Sequence, residues 1–173
     1  MVTGKPLLSS EQISQRVREL GNMISEDYEG KNLIAVGILK GAFMFFSDLV
    51  KTIRVPLSLD FMIASSYLGT SSTEEVHIKR DIEDDLSDKH VLLIEDIIDT
   101  GITLNYIREH VLARSPESVK ICALLDKKER RQVEVPVDYR GFEIPNEFVV
   151  GYGLDYNDMF RNLPYISIFK KST

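Results

Sequence analysis

Two adjacent acidic residues follow an apolar run near the middle of the chain. Residues 91–94 read VLLI, and Glu95 and Asp96 come directly after them. Neighbouring carboxylates repel each other, and burying them in a core would be costly. They could be a solvated strand end, or they could orient hydroxyl groups or a divalent metal ion. Carboxylate oxygens suit Mg²⁺, which binds through few carboxylates together with water and phosphate oxygens.

A second polar group follows two residues later, where a helix is expected to begin. It reads DTGIT and contains Asp99, Thr100, Gly101 and Thr103. Gly101 lets the backbone approach a ligand closely, threonine hydroxyls can donate hydrogen bonds, and the amides of a first helical turn favour an anion. Asp99 or Thr100 could instead be only an N-cap, but a cap requires one such residue. The whole string therefore favours a site that binds an anion beside carboxylates that orient hydroxyl groups or a metal ion.

The elements that must position these residues alternate between helices and strands. Ser9 and Gln12 have the spacing of a capping box, and apolar residues at helical spacing extend a first helix to about Glu26. Short apolar runs predict strands at residues 33–39, 57–64, 91–94 and 119–125, with helices at residues 42–51 and from about residue 104. This alternation predicts an α/β fold with a parallel sheet that helices cover on both faces.

Ligands of such sheets bind beyond the carboxyl ends of the strands. The loops after Leu39, Ala64, Ile94 and Leu125 are therefore expected to form the site. Residues 65–75, SSYLGTSSTEE, are small and polar, which predicts a mobile loop. From Tyr139 onward, short β-like pieces are separated by Gly and Pro.

Composition limits the classes of partner. The 173 residues suit one domain, and the net charge of −6 argues against sequence-independent binding of nucleic acid or an anionic membrane. Cys122 is the single cysteine, which fits a reducing compartment and a core position. The N-terminal residues MVTGKPLLSS contain no apolar run of signal-peptide length, and no segment is apolar over a membrane-spanning length, so we expect a cytoplasmic protein. The three histidines lack metal-ligand spacing.

The string IEDIIDTGITL, residues 94–104, resembles the phosphoribosyl-diphosphate motif of the type I phosphoribosyltransferases. The resemblance extends from Leu33 to about Phe169 and is strongest to the hypoxanthine-guanine phosphoribosyltransferase family. The central motif identifies the superfamily, whereas GFEIPNEFVVGYGLDYNDMFRNLPY, residues 141–165, indicates the 6-oxopurine enzymes. Further matching segments are Leu39-Lys40-Gly41, Ser66-Tyr67 and residues 124–128.

This resemblance implies a fold and a reaction. The expected fold is a type I phosphoribosyltransferase domain over residues 1–173, with a core at about 30–135, a lid at 65–77 and a small hood at about 136–173. The expected reaction is Mg²⁺-dependent: phosphoribosyl diphosphate and hypoxanthine or guanine give IMP or GMP and pyrophosphate. The family usually forms homodimers or homotetramers.

The resemblance also implies roles toward phosphoribosyl diphosphate. Asp99 would be the general base near purine N7, and Glu95 and Asp96 would contact the ribose hydroxyls directly or through Mg²⁺. The residues that would bind the 5′-phosphate through amides and hydroxyls are Thr100, Gly101, Ile102 and Thr103.

Pyrophosphate would be bound by Lys40, Gly41 and Arg161. In this family, the turn that contains Lys40 and Gly41 often has an unusual cis peptide. Without the resemblance, Lys40 would be assigned as a surface lysine. Asp155 would carry a second metal ion or meet the base through water. Asp155 and Arg161 could instead form a salt bridge that shapes the C-terminal loop.

The purine would be bound by three further residues. Lys127 would reach O6, Phe148 would stack on the ring, and the main chain of Val149 would bond its edge. A lysine offers only donors, so it favours a 6-oxo group over the amino group of adenine. Without the resemblance, Phe148 would be assigned to the core. The neighbouring Lys128, Arg130 and Arg131 predict a solvated basic loop.

Ser66 and Tyr67 would belong to a lid that excludes water during the reaction, although the same residues also fit an ordinary mobile loop. A non-enzymatic module that binds sugar phosphates is disfavoured, because it would give Asp99 and the lid no role, and two other functions remain open at this point. One is a regulator with the phosphoribosyltransferase fold that binds nucleotide and RNA, which the acidic composition disfavours. The other is a sister enzyme that prefers xanthine.

Overall fold

The computed structural model describes residues 6–68 and 74–170, without the side chains of residues 66–68 and 74–75. A short 3₁₀ turn spans Lys128–Arg130. The helices and strands, in chain order, are α1 (Ser10–Asp27), β1 (Leu33–Leu39), α2 (Phe43–Val50), β2 (Leu57–Leu68), β3 (Glu74–Arg80), β4 (His90–Ile98), α3 (Ile102–Leu112), β5 (Ser118–Asp126), β6 (Tyr139–Glu143), β7 (Val149–Val150) and β8 (Ser167–Ile168).

A six-stranded sheet with the order β3-β2-β1-β4-β5-β6 forms the centre of the fold. Only the β2–β3 pair is antiparallel among the described strands of this sheet. The two short strands β7 and β8 pair separately. The expected α/β fold with a mostly parallel sheet is confirmed. Strand β6 falls within the segment that the sequence assigns to the hood, yet it is the sixth strand of the central sheet.

Helices cover the sheet on both faces because its inner strands bury alternate residues on opposite sides. Leu92 and Leu124 pack with α1 and α2 on one face, in a cluster that includes Leu20 and Phe45. Leu93 and Ile121 pack with α3 on the other face. The capping box predicted at the start of α1 is present, with Ser9 and Gln12 bonded reciprocally.

Two further sequence predictions differ from the structure. Residues 65–75 are not a loop throughout, since Ser65–Leu68 belong to β2 and pair with residues 74–77 of β3. The sequence prediction missed β3 because its charged, alternating residues suit an exposed edge strand and form no apolar run. The lid residues Ser66 and Tyr67 lie in β2 by their backbone, and residues 69–73 lie outside the described residues.

The other difference concerns β4. It extends from His90 to Ile98, four residues beyond the predicted end of the apolar run. Glu95 and Asp96 therefore lie inside the strand, and Asp96 is only 8% exposed. The interpretation of this pair as a solvated strand end is wrong for Asp96.

Candidate functional site

Three backbone segments meet tightly at the carboxyl ends of β1 and β4. The peptide bond between Leu39 and Lys40 is cis, at the turn where such a bond was expected. A Cβ on Gly41 would lie 1.9 Å from Oδ2 of Asp96. A Cβ on Gly153 would lie 2.0 Å from the carbonyl oxygen of Gly41. The glycines thus allow the turn after β1, the acidic strand end and the C-terminal segment to touch.

Glu95 and Asp96, which we call the acid pair, are held by backbone amides. The amide of Asp96 donates to Oε1 of Glu95 at 3.1 Å, and the amide of Ile97 donates to Oδ1 of Asp96 at 2.8 Å. Burial raises the pKa of both carboxyl groups, and the charge of Asp96 raises that of Glu95 further. The positive charge of Arg161 partly opposes the rise in the pKa of Asp96. A cationic or hydroxyl-bearing ligand would relieve this concentration of buried charge.

The loop from β4 into α3 presents backbone amides. Gly101 is the N-cap of α3 with φ of 85°, and the N-cap position makes no side-chain capping bond. The alternative that Asp99 or Thr100 is only an N-cap is therefore wrong. The hydroxyl of Thr100 accepts a long bond, 3.4 Å, from the amide of Ile102. Amides at this end of α3 are thus open to an anion.

The loop between β5 and β6 supports this turn. The amides of Gln132 and Val133 donate to the carbonyl of Thr100 at 2.9 and 3.1 Å. A Cβ on Gly101 would come within 2.4 Å of the Val133 carbonyl oxygen, so a side chain there would break the contact. The amide of Lys127 donates to the carbonyl of Ile98 at 3.0 Å. Backbone hydrogen bonds therefore connect the β4–α3 loop to the β5–β6 loop at several positions.

The basic residues of the β5–β6 loop are not simply solvated, contrary to the sequence prediction. The side chain of Arg131 is only 8% exposed and forms an ion pair with the buried Asp126, which also pairs with Arg140 at 2.7 Å. Nε of Arg130 lies 2.9 Å from Oδ1 of Asp99. Lys128 fits the expectation, as a half-exposed partner of Glu143. No local sequence pattern signals these pairings.

A pocket of about 460 Å³ opens between Asp96 and the C-terminal segment. Lys127 lines this pocket and is only 6% exposed, and burial lowers the pKa of its ammonium group. The residues that line the pocket are Asp96, Ile97, Asp99, Lys127, Arg130, Asn146, Glu147, Phe148, Val149, Leu154 and Asp155. Six of these were predicted from the sequence, whereas Ile97, Arg130, Asn146, Glu147 and Leu154 were not.

Phe148 presents its ring to this pocket and is 52% exposed, so it is not a core residue. Tyr156 and Phe169 contact it edge-on, with ring centroids 5.9 and 6.2 Å away. Tyr156 and Phe169 stack on each other at 4.3 Å. Val149 is buried and pairs with Ile168 of β8. An exposed aromatic face on a rigid support can stack on a flat ligand.

The predicted cations Lys40 and Arg161 border a smaller pocket of about 280 Å³, whose other lining residues, Leu39, Phe43, Met44 and Gly153, make it mostly apolar. Nη2 of Arg161 lies 2.8 Å from Oδ1 of Asp155, so the salt bridge considered from the sequence is present. Oδ1 of Asp158, a residue not singled out from the sequence, lies 3.2 Å from both Lys40 Nζ and Arg161 Nη2. Lys40 and Arg161, two cations that could bind a phosphate group, are thus both paired with carboxylates of the C-terminal segment.

The described residues contain no group of three His, Cys, Asp or Glu side chains that could hold a metal ion alone. Glu95 and Asp96 remain adjacent, whereas Oδ2 of Asp155 accepts the amide of Asp158 at 2.7 Å and its Oδ1 faces Arg161. A metal ion here would need oxygen ligands from water or a bound molecule as well, which is how Mg²⁺ is usually held. The donor set of the acid pair fits such an ion.

Comparison with known proteins gives a consistent result. The family model of the phosphoribosyl transferase domain matches residues 4–157. Over 168 residues, the chain is 51% identical to the hypoxanthine-guanine phosphoribosyltransferase of Streptococcus pneumoniae, covering 96% of this chain and 93% of that protein. It is 48% identical to the hypoxanthine phosphoribosyltransferase of Escherichia coli, covering 95% and 94% of the two chains.

Solved structures agree with this likeness. A hypoxanthine phosphoribosyltransferase from Staphylococcus aureus superposes with a TM-score of 0.92 at 48% identity, covering 96% of this chain and 91% of that one. A hypoxanthine-guanine phosphoribosyltransferase from Bacillus anthracis gives 0.94 at 40% identity, with 98% and 100% covered. Within residues 6–68 and 74–170, no helix has the length and apolar character that a membrane span requires.

Proposed function

The chain belongs to the phosphoribosyltransferase family, and from that premise we propose that it is a purine-salvage enzyme. It transfers the 5-phosphoribosyl group of phosphoribosyl diphosphate to N9 of hypoxanthine or guanine. The products are IMP or GMP and pyrophosphate. The observation that carries the proposal is the pocket that unites a buried lysine, an exposed aromatic ring and Asp99 beside the acid pair.

The base is selected by its 6-oxo group. The buried ammonium of Lys127 donates to O6, and the amino group of adenine at that position would leave both donors unpaired. Phe148 stacks on the purine, supported from behind by Tyr156 and Phe169. The main chain of Val149 bonds the purine edge. These contacts orient N9 toward the sugar.

Asp99 is the residue that manages the proton at N7. As N9 forms its bond to the anomeric carbon, electron density leaves the ring and the N7 proton becomes more acidic. The carboxylate of Asp99 holds or accepts that proton, an effect that is typically worth about 10² to 10⁴ in rate. Its ion pair with Arg130 keeps the carboxylate oriented at the mouth of the pocket.

The acid pair acts on the sugar. Positive charge develops at the anomeric carbon as the bond to pyrophosphate breaks, and preorganised carboxylates stabilise that charge electrostatically. Glu95 and Asp96 also orient the ribose hydroxyls. The 5′-phosphate is held by amides and hydroxyls of Thr100, Gly101, Ile102 and Thr103. Lys40, Gly41 and Arg161 receive the departing pyrophosphate.

Magnesium is part of the proposal. The acid pair would hold Mg²⁺ together with oxygens of the ribose and pyrophosphate, and Asp155 is the candidate for a second ion. When bound, the ion would neutralise charge on the leaving pyrophosphate. The raised pKa values of the acid pair support a cation here, because an adjacent positive charge would stabilise both ionised carboxyl groups.

We also propose that Ser66 and Tyr67 belong to a lid over the site and that the protein is cytoplasmic.

The oligomeric state is proposed to be a homodimer or a homotetramer. Exposed apolar side chains at Phe43 and Leu59 support association between copies. The molar mass in solution, measured by light scattering, tests the oligomeric state. A monomer at micromolar concentration would contradict it.

Pyrophosphate release tests the function directly. The purified chain is incubated with phosphoribosyl diphosphate and hypoxanthine, guanine, xanthine or adenine, with Mg²⁺ or with a chelator. We expect release with hypoxanthine or guanine, formation of the matching nucleotide, little activity with adenine and none with the chelator. Xanthine as the preferred base would replace the proposal with the sister activity, and no release with any purine would refute it.

A further inference from the structure

Asp158 bridges the two cations of the small pocket. One oxygen, Oδ1, accepts hydrogen bonds from Nζ of Lys40 and from Nη2 of Arg161, both at 3.2 Å. Lys40 and Asp158 lie 118 positions apart in the chain, so the contact is made by the fold. These two cations hold the pKa of Asp158 below its ordinary value.

The loop around Asp158 holds its carboxylate in this position. Its backbone is left-handed, with φ of 59°, and its amide donates to Oδ2 of Asp155 at 2.7 Å. Tyr156 and Met159 close the turn with reciprocal backbone bonds. Nη1 of Arg161 donates to the carbonyl of Gly153 at 2.7 Å, which anchors the guanidinium on the glycine that packs against Gly41.

The arrangement has the charge pattern of an occupied anion site. Two cations share one negative oxygen, as they would share an oxygen of a phosphate group. The side chain of Asp158 is 72% exposed, so it can rotate into solvent without the cost of uncovering a core. Exposed ion pairs of this kind are weak and are readily exchanged for a stronger partner.

We propose that Asp158 is an internal anion that occupies the pyrophosphate position between Lys40 and Arg161 in the empty enzyme and is displaced when substrate binds. The inference rests on the proposed function, and it adds a residue that tunes affinity. When the site is empty, Asp158 holds Lys40 and Arg161 close together, and Arg161 is also paired with Asp155 at 2.8 Å. Asp158 also competes with pyrophosphate, which weakens the binding of that product and favours its release.

Replacing Asp158 by Asn isolates the effect of the charge. Asn tolerates a left-handed backbone better than most residues, so Asp158→Asn preserves the turn. The dissociation constants of magnesium pyrophosphate and of phosphoribosyl diphosphate are measured by calorimetry for both proteins. We expect about three- to tenfold tighter binding of both to the variant, the size expected from two exposed ion pairs. Unchanged or weaker binding would overturn the inference.

Glu19→Gln is the matched control. Glu19 forms an exposed ion pair with Arg16 at 2.8 Å on α1, so the substitution removes the same charge from another part of the chain. Pyrophosphate affinity should be unchanged in this variant, and equal tightening in both would indicate only an effect of net charge. If the unmodified chain binds neither ligand, the proposed function itself fails. If it binds both and Asp158→Asn is no tighter, only the role of Asp158 fails.

A double-substitution experiment tests whether the tighter pyrophosphate binding depends on Lys40. In a Lys40→Ala background, one of the two partners of Asp158 is absent, so Asp158→Asn should tighten pyrophosphate binding by a smaller factor. The coupling between the substitutions measures the displaced contact. The same gain in both backgrounds would contradict displacement from Lys40.

Discussion

The carboxylate of Asp96 lies directly against Gly41, at a distance where a Cβ on residue 41 would overlap Oδ2. No left-handed backbone is required at Gly41, so contact alone excludes a side chain. The turn proposed for pyrophosphate and the acid proposed for the ribose are therefore fitted to each other.

Substitution of Gly41 by Ala should damage the site more than the fold. The new Cβ would push the Asp96 carboxylate away from its bond with the Ile97 amide, an overpacking that costs about 1–3 kcal/mol of stability. We expect kcat/KM for phosphoribosyl diphosphate to fall at least about tenfold, because misplacement of a site group by about 1 Å can cost more than that. Gly30→Ala is the control, since its Cβ meets no atom within 4 Å although φ is 71°. It should lower the melting temperature and leave kcat/KM intact.

Asp99→Asn should separate chemistry from binding. Asparagine cannot accept the N7 proton, so kcat should fall by about 10² to 10⁴. The dissociation constant of phosphoribosyl diphosphate should change by less than about threefold, since the amides of the phosphate loop remain in place. Steady-state assays of nucleotide formation measure the first quantity, and calorimetry measures the second. A variant with an unaltered turnover number would remove Asp99 from the role of base.

Lys127→Ala should impair selection of the purine. The loss of a charged donor to O6 inside the pocket should lower kcat/KM for hypoxanthine by about 10- to 100-fold. Affinity for phosphoribosyl diphosphate should be retained. Lys128→Ala is a neighbouring control, because Lys128 points to Glu143 at 2.7 Å and does not line the pocket. Equal losses in the two variants would mean that Lys127 acts through the loop and not through the base.

Glu95→Gln should stabilise the metal-free protein while it inactivates the enzyme. Because the pKa of Glu95 is raised in the folded state, its contribution to stability is fully present below its ordinary pKa and is lost as pH rises through the folded pKa. With a chelator present, the variant should therefore melt a few degrees higher at pH 8 and equally at pH 4. Thermal denaturation followed by circular dichroism tests this. A variant that is less stable at pH 8 would show that the ionised carboxylate is well compensated.

The sequence predicted the elements whose signals are local. The apolar run of β1 predicted both ends of that strand, and the capping box at Ser9 predicted the start of α1, because these patterns involve neighbouring residues. Strand β3 was missed because its charged residues alternate with single apolar residues and so form no continuous apolar run. The end of β4 was misplaced because acidic residues normally terminate a buried run.

Some site residues were predicted from the sequence and others were missed. Lys127 and Phe148 were predicted through a family resemblance, which carries information that periodicity does not. Arg130 and Asp158 were missed because their partners, Asp99 and Lys40, are distant in the chain and only the packed loops bring them together. Long-range ion pairs of this kind depend on how the loops pack. The residue type at one position does not show which distant residue will be its partner.

The central claim is that the amides between Thr100 and Thr103 seat a phosphorylated ribose beside the acid pair and Asp99. A crystal structure of the chain with IMP or GMP tests it most directly. We expect the 5′-phosphate at the start of α3, the ribose hydroxyls at Glu95 and Asp96, and the purine between Lys127 and Phe148. A nucleotide bound elsewhere, with this pocket empty in the same crystal, would contradict the account.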